Sequence, residues 1–284
     1  RALREMNART RAPNRPTAGV SRGAGSGGTY PAPRLSNMQI LGGVPPNLVG
    51  GTAQVDGDSL GMGFSLGALL TLAPGTTFGI GYRSAISQTL NGEATAKGPG
   101  IVLPPLPAKA ELTLPDQVTA SFRTQVTPQW TLLATAEWTN WSELKQLDVV
   151  SGGRTVSALE LNWNDGWFFS AGAQYQWDPR LALRAGVGYE LTPVPDSTRS
   201  PRLPDTNRLW LSAGLTYAVT PALSLDLAYT HILGETSPIT LLPLSPANAP
   251  RGTLLAEVSD PYVHIVSAGL RSRFATEPSP PVTK

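Results

Sequence analysis

The chain has 284 residues, a length that fits one large domain or two small ones. Charged residues make up 15% of it, against about 25% in an average soluble protein, and 29 glycines and 27 prolines make it rich in turn formers. Because 40% of the residues are hydrophobic, the composition excludes a disordered polar chain, disfavours a helical bundle and fits an all-β protein.

The positive charge is concentrated at the N-terminus. Residues 1–34 carry seven arginines and one acid, a net +6, so a total of +2 leaves −4 for the remainder. We expect residues 1–50 to be a basic Gly/Pro-rich extension without ordered structure, 51–274 to be the folded part and 275–284 a Pro-rich tail. A basic arm can bind nucleic acid or anionic lipid, but this composition is more typical of an unstructured extension, and no nucleic-acid partner is expected. No apolar segment follows the arginines, so they do not start a secretory signal peptide.

Four proline-containing turns follow one another along the chain, at 72–75, 126–129, 177–180 and 219–222. Each is followed by a run that alternates apolar and small or polar residues, the period of a β-strand. The uncharged stretch 59–82 has the length of a membrane helix, but Pro74-Gly75 in its middle predicts two strands and a turn.

The alternation predicts nine strands, most of them ten residues or longer. Soluble strands average five or six residues, whereas a tilted strand that crosses a bilayer needs about 9–11. The connections alternate between the short turns and four long loops at 91–111, 141–165, 192–207 and 234–262, as in outer-membrane barrels. The predicted strands are 60–72, 77–90, 112–126, 130–140, 166–177, 181–191, 208–219, 223–233 and 263–274. We therefore predict an antiparallel transmembrane β-barrel.

Strand parity gives a further expectation. If the short turns face the periplasm, the first and the last of the nine strands both run inward. Bacterial barrels close with an even number of strands, so an odd number of strands is expected to precede this chain.

Several segments resemble the FadL-like outer-membrane transport proteins for long-chain fatty acids and aromatic hydrocarbons. The resemblance covers about residues 50–274 and is most specific from Thr192 to Gly214. The other segments that carry it are 61–67 (GMGFSLG), 79–84 (GIGYRS), 114–116 (LPD), 128–130 (PQW) and 138–142 (WTNWS). It implies a monomeric 14-stranded barrel of the bacterial outer membrane, in contact with outer-membrane lipid, of which about nine strands are present here.

The same resemblance implies uptake of a hydrophobic small molecule that is captured at extracellular loops and passes through the barrel. Apolar residues of two long loops are the candidates for capture: Leu103, Leu106, Leu241 and Leu242. Packing of these leucines against other loops is an equally good interpretation. Inward-facing arginines are candidates for contact with a fatty carboxylate, although pairing with acids across strands explains each of them as well. These arginines are Arg83, Arg123, Arg184, Arg271 and Arg273.

Catalytic and metal-binding chemistry finds little support in the sequence. The chain has no cysteine, and its two histidines, His231 and His264, cannot form a three-histidine metal site. No phosphate-binding glycine loop and no metal-ligand spacing is present, so we expect neither an enzyme nor a cofactor. The alternative class is a surface-exposed or soluble β-rich binding or adhesion protein.

Overall fold

The structure, a computed structural model, describes residues 21–24, 35–40, 52–98, 101–102, 104–243 and 253–273. Most of them form antiparallel strands, and no described helix is long and apolar enough to cross a membrane. The strands are β1 (Ser21–Ala24), β2 (Leu35–Ile40), β3 (Thr52–Asp58), β4 (Ser65–Ala73), β5 (Thr76–Arg83), β6 (Ile86–Gly98), β7 (Ile101–Val102), β8 (Leu106–Leu114), β9 (Gln117–Gln125), β10 (Trp130–Thr139), β11 (Gln146–Ser151), β12 (Arg154–Glu160), β13 (Gly166–Gln176), β14 (Leu181–Leu191), β15 (Arg208–Ala218), β16 (Leu223–Gly234), β17 (Ser237–Leu241), β18 (Leu254–Val258) and β19 (Tyr262–Ser272).

Ten strands form one sheet in the order β1-β4-β5-β9-β10-β13-β14-β15-β16-β19. All of them except β1 coincide with the nine predicted strands, which confirms both the number of those strands and the order in which they follow one another in the sheet. The tenth strand, β1, and strand β2 lie within residues 1–50, where we expected an extension without structure. The rest of that extension and the tail 275–284 lie outside the described residues.

Two of the predicted strands are shorter than their alternation suggests: one ends early and the other begins late. The run 77–90 is divided after Arg83, where the buried Ser84 side chain accepts a hydrogen bond from Phe64 N at 2.9 Å. The run 112–126 is divided at Pro115, which cannot donate to a ladder. The chain beyond each break continues in a different sheet.

The proline turns share a capping device that explains why they recur. In three of them the residue before proline caps the turn: Thr127, Asp178 and Thr220 accept backbone hydrogen bonds from Trp130, Leu181 and Leu223 at 2.9, 2.9 and 3.0 Å. The first turn instead uses Gly75, whose φ of 78° suits glycine. All four lie at one end of the ten-stranded sheet, which we call the short-turn rim; the opposite end is the long-loop rim.

The predicted long loops contain regular structure, which corrects the expectation of irregular connections. Loops 91–111 and 141–165 contribute to a seven-stranded sheet in the order β12-β11-β8-β6-β3-β2, with β7 paired to β6. Its core is a cluster formed by Leu90, Ala108, Ala110 and Val149. Loop 234–262 contains the hairpin of β17 and β18. Of the four long connections, 192–207 alone has no named strand.

The two faces of the ten-stranded sheet have opposite chemistry. One face, the apolar face, exposes aliphatic residues such as Ile80 (46%), Val187 (48%) and Leu270 (75%) along its strands. Aromatic residues mark both of its ends: Trp130 packs on Tyr175 (4.7 Å) at the short-turn rim, and Trp167 stacks on Phe169 (5.7 Å) towards the long-loop rim. In water this exposure would be costly, whereas lipid is a suitable surrounding for it.

The other face, the polar face, carries small and hydrogen-bonding side chains. Ser121, Thr135, Ser170 and Gly188 lie in one row across four strands. The hydroxyls of Ser121 and Thr135 are 3.3 Å apart. This face is therefore the one that can accept water or a passing solute.

Candidate functional site

A charge ladder crosses five strands of the polar face near the short-turn rim. Arg184 donates to Gln174 Oε1 at 2.9 Å and to Thr216 Oγ1 at 2.8 Å, and Thr216 donates to Asp226. Arg271 pairs with the same carboxylate at 3.0 Å. Arg271 thus contacts the carboxylate directly and Arg184 is linked to it through the Thr216 hydroxyl, so two arginines and one acid give the charge ladder a net charge of +1.

An aromatic shelf lies on the polar face at the long-loop rim. Phe168 on β13 and Trp210 on β15 meet edge to face with ring centroids 5.8 Å apart, although β14 runs between their strands. The contact is possible because Gly188 has no side chain: a Cβ there would be 2.8 Å from Phe168 Cζ. The indole Nε1 of Trp210 donates to Glu190 Oε2 at 3.1 Å, which orients its ring.

Carboxylates flank the aromatic shelf. Glu137 and Glu190 are the cross-strand neighbours of Phe168 on either side. Glu190 is 3.4 Å from an Arg208 nitrogen, but Arg208 also pairs with Asp205, so one guanidinium is shared by two carboxylates. The described contact of Glu137 is a hydrogen bond from the Thr119 hydroxyl at 3.1 Å, which leaves its charge without a cation among the described residues.

Arg199 organises the 192–207 connection at the long-loop rim. Its side chain is 3% exposed and donates to the backbone oxygens of Asp205 (2.9 Å), Val194 (3.2 Å) and Pro238 (3.2 Å). It also pairs with Asp196. One guanidinium therefore satisfies three carbonyls and ties this connection to the β17 strand.

Further hydrogen bonds hold the rim carboxylates in their charged form. Asp165 accepts a bond from Ser142 N at 3.3 Å and one from Trp138 Nε1 at 2.8 Å, and hydrogen bonding by Ser142 and Trp138 lowers the pKa of Asp165. Tyr189 Oη and Asn207 Nδ2 donate to Glu235 at 2.5 and 2.9 Å and likewise lower the pKa of that carboxyl. Both carboxylates are therefore charged hydrogen-bond acceptors that are held in place at the long-loop rim.

The five predicted arginines fall into three groups. Arg184 and Arg271 belong to the charge ladder. Arg83 and Arg123 are half-buried on the polar face, and no hydrogen bond or ion pair joins either side chain to another described residue. Arg273 is exposed beyond the end of β19, where its backbone N donates to Ala222 O at 2.8 Å.

The four predicted leucines also differ in their exposure to solvent. Leu106 (55% exposed) and Leu242 (51% exposed) present apolar surface at the long-loop rim. Leu241 is 3% exposed and packs within the β17–β18 hairpin, so it is not part of an exposed surface. Leu103 lies outside the described residues.

Sequence reasoning did not select Phe168, Gly188, Trp210 or Arg199 as site residues. The alternation places Phe168 and Trp210 on the polar face, but it gives no sign that they meet across an intervening strand. A single arginine in a Pro/Asp-rich connection carries no sign of burial either. Register and tertiary contact supply this information.

Comparison with known proteins agrees with this architecture. Residues 18–274 match the family described as outer membrane protein transport protein (OMPP1/FadL/TodX). The long-chain fatty acid transport protein of Escherichia coli O6:H1 is 30% identical over 240 residues, which are 77% of this chain and 53% of that protein. Outer membrane protein P1 of Haemophilus influenzae is 30% identical over 177 residues, 62% of this chain and 38% of that protein. The chain spans about half the length of the curated relatives that it matches most extensively.

Solved structures show the same fold. A Pseudomonas aeruginosa FadL homologue superposes with a TM-score of 0.69 at 25% identity, covering 85% of this chain and 61% of that one. The Ralstonia pickettii toluene transporter TbuX gives 0.54 at 21% identity, with 80% and 52% covered, and supports the fold alone. The chain forms part of an antiparallel β-barrel of the bacterial outer membrane. The chain belongs to the OMPP1/FadL/TodX family of bacterial outer-membrane transport proteins.

Proposed function

We propose that the protein passes hydrophobic compounds, either long-chain fatty acids or aromatic hydrocarbons, across the outer membrane. The observation that carries the proposal is the contrast between the two faces of the ten-stranded sheet, with exposed apolar residues on one side and small or polar residues on the other. The names of relatives supply the two ligand classes: a fatty acid transport protein and a toluene transporter. The role is transport and not catalysis.

Capture begins at the long-loop rim in this proposal. Leu106 and Leu242 offer exposed apolar surface there, and Leu242 directly follows strand β17, which Arg199 ties to the 192–207 connection. Such exposed apolar residues are typical of binding sites for apolar ligands.

A fatty carboxylate is received on the polar face by Arg83 and Arg123 in preference to the charge ladder. Both are free of described partners, so a ligand carboxylate gains a full charge-assisted bond from them. At Arg184 the ligand competes with Gln174 and Thr216 for the guanidinium donors, and at Arg271 it competes with Asp226.

Uptake of labelled oleate and labelled toluene tests the proposal, using cells that lack their own transporter and express the full-length protein. We expect uptake of at least one compound above that of cells with an empty vector. For the carboxylate site we expect Arg123→Gln to lower oleate uptake several-fold and to leave toluene uptake unchanged, with exposed Lys109→Gln as the control for loss of a positive charge. Uptake of neither compound contradicts the proposed function.

The alternative class, a soluble binding or adhesion protein, is tested by gel mobility. A folded membrane barrel changes its mobility on boiling in detergent, whereas a soluble sandwich stays in solution without detergent. The proposal also includes a monomer in contact with lipid, for which mass measurement of the detergent-solubilised protein is the test.

A further inference from the structure

We propose that the aromatic shelf binds neutral aromatic rings and that Gly188 sets its selectivity. This inference rests on the proposed function and names the ligand class that this part of the polar face prefers.

The aromatic shelf differs chemically from the surface around it. On the described strands β4 to β19 of the ten-stranded sheet, Phe168 and Trp210 are the aromatic side chains of the polar face. Both are half-buried, so part of each ring remains accessible. Ser170 and Gly188, which pair with each other beside the aromatic rings, are both small.

The edge-to-face geometry suits a third ring. Aromatic rings prefer offset or edge-to-face contacts, and each such pair contributes about 0.5–1.5 kcal/mol beyond the area it buries. The rings are already held in place, because Trp210 is bonded to Glu190 and Phe168 lies across Gly188. A ligand therefore pays little ordering cost when it stacks there.

The charges beside the shelf disfavour an anionic ligand. Glu137 lies next to Phe168 in register and has no described cationic partner, and Glu190 shares Arg208 with Asp205. A carboxylate head group that approached the rings would meet the Glu137 charge, whereas a neutral hydrocarbon ring would not. The shelf thus favours rings over fatty carboxylates.

Gly188→Ala tests this inference because it moves the shelf without removing it. The added Cβ would lie 2.8 and 3.0 Å from Phe168 ring atoms but 3.4 Å from the nearest backbone atom, so the ring must move while the sheet is retained. Gly81→Ala is the matched control: it is also on the polar face, and its Cβ meets backbone atoms at 3.9–4.0 Å, an ordinary contact. Phe168→Leu removes the ring directly and serves if Gly188→Ala does not fold.

We expect Gly188→Ala and Phe168→Leu to lower toluene uptake by about two- to tenfold, the factor that corresponds to one aromatic contact. Oleate uptake should change less than twofold, and Gly81→Ala should match the wild type for both compounds. Unchanged toluene uptake, or equal losses of toluene and oleate in a variant whose gel shift shows a folded barrel, overturns the inference.

Calorimetric titration of toluene into the purified full-length protein separates the two proposals. If the wild type transports neither compound but binds toluene, and Gly188→Ala weakens that binding, ring binding by the aromatic shelf is supported and the proposed transport function is contradicted. If the wild type transports toluene but Gly188→Ala binds and transports it normally, ring binding by the aromatic shelf is refuted and the proposed transport function is supported.

Discussion

Replacement of Asp226 by asparagine is the most direct test of the charge ladder. The carboxylate receives the Thr216 hydroxyl and an Arg271 nitrogen at 3.0 Å, and its side chain is 16% exposed. Asparagine keeps the shape of the side chain but removes the negative charge between Arg184 and Arg271.

The expected cost follows from these contacts. A hydrogen bond to a charged group contributes about 1.5–3 kcal/mol, and breaking a fully buried ion pair costs about 3–5 kcal/mol. Arg271 is 33% exposed, so water compensates for part of its lost partner. We therefore expect Asp226→Asn to lower the free energy of unfolding by about 2 kcal/mol.

Urea unfolding of the full-length protein in liposomes, followed by tryptophan fluorescence, measures this difference. Glu111→Gln is the control, because Glu111 is exposed and its side chain has no hydrogen bond to a described residue. Arg271→Gln in the wild type and in the Asp226→Asn background completes a double-mutant cycle, for which we expect a coupling energy of about 1 kcal/mol or more. The reasoning fails if Asp226→Asn unfolds like Glu111→Gln, or if Arg271→Gln costs the same in both backgrounds.

Three further predictions concern the rims. Hydrogen bonds from Ser142 and Trp138 depress the pKa of Asp165 below 3.8. The contribution of Asp165 to stability is therefore present above pH 3.8 and is lost as the pH falls through the lowered pKa. Asp165→Asn should remove this part of the acid sensitivity in unfolding curves taken between pH 7 and pH 2. Arg199→Ala leaves three carbonyls unsatisfied, so it should lower the free energy of unfolding by about 2–4 kcal/mol and expose residues 192–207 to protease. Arg199→Lys lacks the planar guanidinium and should restore only part of the protection. Equal cleavage of the wild type and Arg199→Ala would refute the role of Arg199 in holding this connection. Asp178→Ala removes the acceptor of the Arg180 and Leu181 amides and should cost about 1 kcal/mol in urea unfolding, whereas the same change at Asp148, whose described bond is to Gln146, should cost less.

The strands of the main sheet were predictable because two local signals agree. Alternation is a property of neighbouring residues, and a strand between bilayer surfaces repeats it over ten residues or more. The proline turns mark where it stops. Even the capping residues Thr127, Asp178 and Thr220 stand beside the proline in the sequence, so a search for a threonine or aspartate before proline would have found them.

The structure of the long connections was not predictable by the same means. Strands β6 and β8 pair with each other, but β11 joins β8 and β3 joins β6 from distant parts of the chain. Such pairing depends on a shared core, the cluster around Leu90 and Val149, and not on the pattern of one segment. Short apolar runs separated by glycine and proline therefore suggested loops where the chain forms a second sheet.

The arginines show what register adds to alternation. Alternation assigned Arg83, Arg123, Arg184 and Arg271 to one face and could not separate structural from free charges. Register does so: it places Gln174 beside Arg184, Thr216 beside Asp226 and Ser224 beside Arg271, and so brings two arginines to one acid. The same register places Leu133 and Thr77 on either side of Arg123. These neighbours offer no carboxylate, which is why register favours Arg123 over the paired arginines in the proposed contact with a fatty carboxylate.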